Sequence, residues 1–270
     1  MTSKLEQLKI LREQLNIEIN GLNNYRIGEP NLLISNHNCL MDIFYLPTVI
    51  PEDIVSLVSS RLLYKKELER KQMVNKYLNA MPIEAHGGRI YSSMCLKHAV
   101  DILCNNVSLN IFPEGAYVEE DIIYRGRTGA SRILYFARQK GIKPNLIPVS
   151  INIKDKIKDL DNYYPNDDRV EINILEPINY DDAYYSFINS SNPIESREAL
   201  HIPIDEGMKK IAESMNKEYV NEYIELRPKK NVIFDDGSTL ETTVAQSIYY
   251  VYMYYKSLQE KSNKLVKTLR

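Results

Sequence analysis

Short runs rich in branched residues, separated by segments of helical periodicity, constrain this chain more than any other feature. Residues 32–34, 54–58, 108–112 and 146–153 are each bounded by turn formers. Runs of that length and composition suit strands buried on both faces. Between them, residues 91–103 and 129–139 carry helical patterns, the second followed by Gly141 where a C-cap glycine belongs. Strands alternating with helices predict an α/β fold on a central sheet. A further strand is expected over 170–175, after a charged loop over 154–169.

A chain of 270 residues can bury one large core, so one domain with appendages is expected. Leu5, Leu8, Leu11, Leu15 and Ile19 fall on one helical stripe, which marks residues 1–24 as an N-terminal amphipathic helix. The main domain is then read over 25–226. A break at 227–237, with Pro228 and Asp235-Asp236-Gly237, sets off residues 238–270 as a basic, tyrosine-rich C-terminal helix.

The balance of charges excludes some partners. A formal net charge of -2 creates no global field toward nucleic acid, so none is expected as a partner. Three cysteines without a CxxC pair argue against a disulfide framework and structural zinc, and fit a reducing cytoplasm. The charged N-terminus does not read as a secretory signal, and the greasiest stretch, 244–255, falls short of the ~20 apolar residues of a spanning helix.

Chemistry concentrates at two places. In Asn36-His37-Asn38-Cys39-Leu40-Met41-Asp42 a histidine stands where a buried strand hands over to a helix. Such an imidazole can take a proton from an attacking hydroxyl at neutral pH, and a carboxylate on its other nitrogen fixes the tautomer. Asp42, five positions on, could reach back. A capping or surface histidine is the plainer alternative. The second place is Phe112-Pro113-Glu114-Gly115, directly after a strand, where Pro and Gly impose an unusual backbone path. Cys39 also raises a rival route, a thiolate nucleophile with a covalent intermediate. His86, His98 and His201 show no partner spacing.

Taken in order, NHNCLMD, FPEG and Leu146-Ile147-Pro148-Val149 resemble the glycerolipid acyltransferase family of the lysophosphatidate acyltransferase type. The resemblance spans roughly residues 25–225 and includes the basic helix start Arg127-Thr128-Gly129-Ala130-Ser131-Arg132. It implies a single domain with a mixed, largely parallel sheet flanked by helices. It also implies acyl transfer from acyl-CoA or acyl carrier protein to a hydroxyl or amine. His37 would be the general base and Asp42 its orienting partner, with no covalent acyl-enzyme, no metal and no cofactor beyond the thioester co-substrate. Asn36, Cys39, Arg89, Glu114, Gly115, Arg127 and Pro148 would contact or shape the substrate site.

The chain also departs from that pattern. Pro82-Ile83-Glu84-Ala85 stands where the family carries an arginine, so Arg89 either replaces that arginine or is an ordinary surface residue. Cys39 takes the usual serine slot and Ala116 the usual threonine. The basic stretch 61–76 suits either a solvated helix or a docking face for acyl carrier protein or CoA phosphates. The C-terminal tyrosines and lysines suit packing or peripheral membrane contact. The leading expectation is therefore a soluble cytoplasmic acyltransferase. The alternatives are a membrane-peripheral lysophosphatidate acyltransferase and an idle acyl-binding or carrier-docking protein.

Overall fold

The computed structural model describes residues 4–39, 41–59, 78–83, 88–118, 121–154 and 169–224. The basic stretch 61–76, His86 and the C-terminal helix expected over 238–270 lie outside the described residues. Helix α1 (Lys4–Gln14) leads into strand β1 (Asn16–Asn20). There follow β2 (Asn31–Ser35), α2 (Asp42–Val49), β3 (Ile54–Ser59), β4 (Asn79–Ile83) and α3 (Gly88–Cys104). The second half holds β5 (Ser108–Ile111), β6 (Ile122–Tyr124), α4 (Gly129–Gln139), β7 (Asn145–Ile153) and β8 (Arg169–Ile174). It closes with α5 (Asp181–Asn189), α6 (Pro193–Ser214) and β9 (Glu218–Val220).

Seven strands form one sheet in the order β1-β8-β7-β2-β5-β3-β4. Every neighbouring pair is parallel except β7 and β8. The expected α/β domain with a mixed, largely parallel sheet is therefore what forms. Strand β2 lies at its centre, in register with β5 (Leu32 opposite Leu109) and β7 (Leu32 opposite Leu146), and all five of its residues are buried. Its alternating side chains feed two cores. Leu32 and Ile34 pack toward residues of α3, α4 and α6, among them Leu103, Leu134 and Ile204. Leu33 joins Leu11 of α1 and Phe44 and Tyr45 of α2 on the opposite face. Burial of both faces is why these strands read as unbroken apolar runs.

The N-terminal helix is shorter than expected. It ends at Gln14, and residues 16–20 are an edge strand paired in parallel with β8, Ile17 opposite Val170. Asn-Ile-Glu-Ile-Asn has a period of two, and only Ile17 is fully buried, so the local pattern and the free flank of β8 both favour a strand. Arg12 secures the handover by donating to the carbonyls of Leu15 (3.1 Å) and Ile17 (2.5 Å). The sheet thus begins inside the segment assigned to residues 1–24.

Strand β4 carries Pro82 and escaped the sequence pattern. It is the outermost strand beside β3, where a missing N–H costs nothing. A small parallel ribbon, β6 with β9, stands apart from the main sheet, with Tyr124 opposite Val220. It is locked to α6 by Arg125, whose guanidinium donates to both carboxylate oxygens of Asp205 at 3.0 and 2.6 Å.

Gly126 lets this region close. A Cβ there would lie 2.5 Å from Ile204 Cγ2 and 2.8 Å from Pro113 Cβ, whereas one at Gly129 would meet nothing within 4 Å. Gly126→Ala should therefore cost about 1–3 kcal/mol by overpacking. Gly129→Ala should be neutral or slightly stabilising. Urea denaturation of the two variants, followed by circular dichroism, checks the contrast.

Candidate active site

Beyond Ser35 the chain leaves the ladder, and side chains satisfy the turn that follows. Asn36 Oδ1 accepts the Ile151 N–H (2.8 Å) while Asn36 Nδ2 donates to the Ile151 carbonyl (2.9 Å). Asn38 Nδ2 donates to the same carbonyl at 2.8 Å. These bonds extend the β2–β7 pairing past its end through side chains. Asp42, the first residue of α2, is fully buried. Its Oδ2 accepts the N–H groups of Asn38 (2.5 Å) and Cys39 (2.9 Å). The start of a helix favours a carboxylate, and two backbone donors hold this one in place.

The same Oδ2 lies 3.1 Å from His37 Nδ1. A carboxylate there accepts from Nδ1–H, the tautomer that, in a neutral imidazole, leaves the lone pair on Nε2. Phe112 stacks on the imidazole with ring centres 4.1 Å apart, and Tyr117 meets it edge-on at 4.4 Å. The main chain of His37 is held as firmly: its N–H donates to Glu114 Oε2 (3.0 Å), and its carbonyl accepts from Val118 (2.8 Å).

Glu114 reaches that position because Gly115 adopts the left-handed conformation, φ 79°, and closes a turn by donating to the Phe112 carbonyl at 3.1 Å. The Glu114 side chain faces inward and is 1% exposed. Its other oxygen, Oε1, accepts the Tyr124 N–H at 3.0 Å. Burial pushes its pKa up to about 7 against the opposing pull of those two N–H bonds, with the Asp42 charge adding to the rise and Lys217 resisting it.

Arg127 lies alongside this turn. Its N–H donates to the Pro113 carbonyl (2.8 Å), and a Cβ at residue 115 would come within 3.1 Å of its Nε. The guanidinium sits over the ring of Tyr223, 5.2 Å from its centre.

Of the residues singled out in the sequence, Asn36, His37, Cys39, Asp42, Glu114, Gly115 and Arg127 converge on one turn. Three of them have their polar atoms engaged within the protein. Asn36 is 1% exposed, and its amide is bonded at both ends to the main chain of Ile151, which it anchors. Both oxygens of Glu114 are likewise taken by main-chain donors. The Cys39 thiol is buried and donates to Asp42 Oδ1 at 3.6 Å. Burial first, and then the Asp42 charge, push its pKa far above the usual thiol range, which disfavours a thiolate nucleophile.

Pro148 is buried in mid-strand opposite Ile34, three residues short of the His37 level. Arg89 falls in the first turn of α3, and its side chain lies outside the described residues. His201 is elsewhere, its Nε2 3.2 Å from the Tyr223 hydroxyl. The sequence reading missed the aromatic clamp of Phe112 and Tyr117. Tyr117 was detectable as an aromatic two residues beyond FPEG, whereas Phe112 was counted as the end of its strand. Among the described residues, no group of three or more His, Cys, Asp or Glu could hold a metal ion. No described helix is long and apolar enough to cross a membrane.

A family model described as Acyltransferase matches residues 16–152, just over half of the 270-residue chain. The chain belongs to the acyltransferase family. The matched stretch contains both halves of the turn, from Asn36 through Asp42 and from Phe112 to Arg127. No curated protein sequence matches this acyltransferase. Among solved structures it is similar to the 1-acyl-sn-glycerophosphate (LPA) acyltransferase PlsC of Thermotoga maritima, at 18% identity and TM-score 0.46, over 77% of this chain and 79% of that one.

Glu114 makes stability depend on pH in a definite direction. Its carboxyl ionises near 4.5 in an unfolded chain and at about 7 when folded, so the folded state holds more protons across that window. Its contribution to stability must then fall as pH rises from about 4.5 to about 7. Relative to Glu114→Gln, the parent should lose stability over that range, as thermal melts at stepped pH would read.

Proposed function

We propose that this acyltransferase moves an acyl group from a thioester, acyl-CoA or acyl carrier protein, to a hydroxyl or amine, with His37 as general base. The observation that carries this reading is the 3.1 Å contact between His37 Nδ1 and the buried Asp42 carboxylate, on a ring braced by two aromatic side chains. Nε2 takes the acceptor's proton as its oxygen or nitrogen attacks the thioester carbon. Asp42 stabilises the imidazolium that results. Collapse of the tetrahedral intermediate breaks the C–S bond, and the departing thiolate recovers the proton from His37. A thiol leaves readily, so positioning and one base account for most of what the protein supplies.

The intact His37–Asp42 pair supports an enzyme over an idle acyl-binding protein. The acceptor is proposed to carry an anionic group facing Arg127, which is exposed, lies against the Gly115 turn and has no ion pair among the described residues. A cytoplasmic setting is supported by Cys39, Cys95 and Cys104, all of which are free.

Thiol release from acyl-CoA and from an acylated carrier protein, with a panel of soluble acceptors and lysophosphatidate in vesicles, assigns donor and acceptor. Under the best pair, His37→Ala should lose about 10²-fold or more in kcat, as removal of a general base does. Equal rates in parent and variant would remove His37 from the mechanism. Arg127→Ala should raise the acceptor KM roughly tenfold with little change in kcat, the signature of lost charge-assisted binding.

A further inference from the structure

The second buried carboxylate has a role of its own. We propose that Glu114 is a positioning residue that clasps the main chain of the base-bearing turn to the β6–β9 ribbon, and that it does not bind the acceptor. The inference rests on the reading of His37 as the base.

The geometry leaves Glu114 little else to do. Oε2 accepts the His37 N–H and Oε1 accepts the Tyr124 N–H, both at 3.0 Å, and the residue is 1% exposed. Each donor belongs to an irregular or marginal piece of backbone. Residue 37 lies beyond the end of β2, and Tyr124 is the last residue of a three-residue strand outside the main sheet. Buried N–H groups without partners are costly, so both need an acceptor.

An ionised acid presents two free acceptor oxygens at that spot. The amide of a glutamine would turn an NH2 group toward one of the two N–H donors. The charged groups facing the clasp come from three directions: Asp42 and the His37 ring on the turn and α2, Lys217 just ahead of β9, and Arg127 against Gly115. Lys217 is itself held by Asp121 at 3.0 Å, with its side chain 7% exposed. Through Arg125, whose N–H donates to the carbonyls of Val220 and Glu222 (both 3.0 Å), the ribbon's hold extends to the segment bearing Tyr223. A shift of the ribbon is thus passed by one carboxylate to the main chain of His37.

Glu114→Gln tests the role by kinetics. A clasp predicts a fall in kcat of roughly tenfold or more with the acceptor KM within about twofold, since an orienting contact acts on the transition state. The acid limb of the kcat–pH profile should also lose one ionisation. A raised KM at unchanged kcat would make Glu114 an acceptor ligand, and unchanged kinetics would leave it no role; either overturns the proposal.

Backbone amide resonances of the parent provide a readout independent of activity and of the variant's folding. The His37 and Tyr124 amides should both move with the midpoint at which the Glu114 carboxyl carbon itself titrates; if only one follows that carboxyl, or neither, the clasp is wrong. His37→Ala is assayed beside them. If it stays active the base assignment fails, while the amide titrations still judge the clasp.

Discussion

Asp42 is the interaction on which the rest of the site depends. One carboxylate oxygen at the start of α2 receives two main-chain N–H groups and the imidazole Nδ1. Hydrogen bonds to a charged acceptor contribute about 1.5–3 kcal/mol each, so the turn is stabilised and the ring oriented by the same atom. Fixing the tautomer and fixing the loop are one event here. A neutral residue at position 42 would disturb both.

Around that atom, the polar demands of an irregular buried backbone are met from distant parts of the chain. Ile151 of β7 serves Asn36 and Asn38, Val118 serves the His37 carbonyl, and Glu114 serves its N–H. The arrangement explains why so many polar side chains are buried at one end of the sheet: Asn36, Asn38, Asp42 and Glu114 each replace a ladder bond that the strands no longer provide. Glu114 is the most finely balanced of them. Burial opposes its charge and its two donors favour it, which is why the balance falls near neutrality.

The central strands were legible because both of their faces are buried, and in that setting composition alone marks a strand. The same logic failed at the margins. Residues 16–20 were absorbed into a helical stripe, since Leu15 and Ile19 fit either period until β8 offers an edge. Strand β4 was hidden by Pro82, and three-residue strands such as β6 and β9 carry too little pattern to detect. At the site, His37 and Asp42 could be paired from the sequence because they are five residues apart. The anchoring of Asn36 could not, because its partner lies 115 residues away. Nor could the inward turn of Glu114, which depends on Tyr124 being brought beside it by the ribbon.

That separation bears on how the protein is made. Strand β2 emerges early in synthesis, yet its sheet neighbours β5 and β7 come some 75 to 115 residues later. Domains form as units, and pairings across long loops must await both ends. The nascent chain therefore carries its histidine long before it can hold it. Only when Ile151 has left the ribosome can the cradle around that ring be completed, so a product truncated before β7 would contain the reactive residues and lack the scaffold that arranges them.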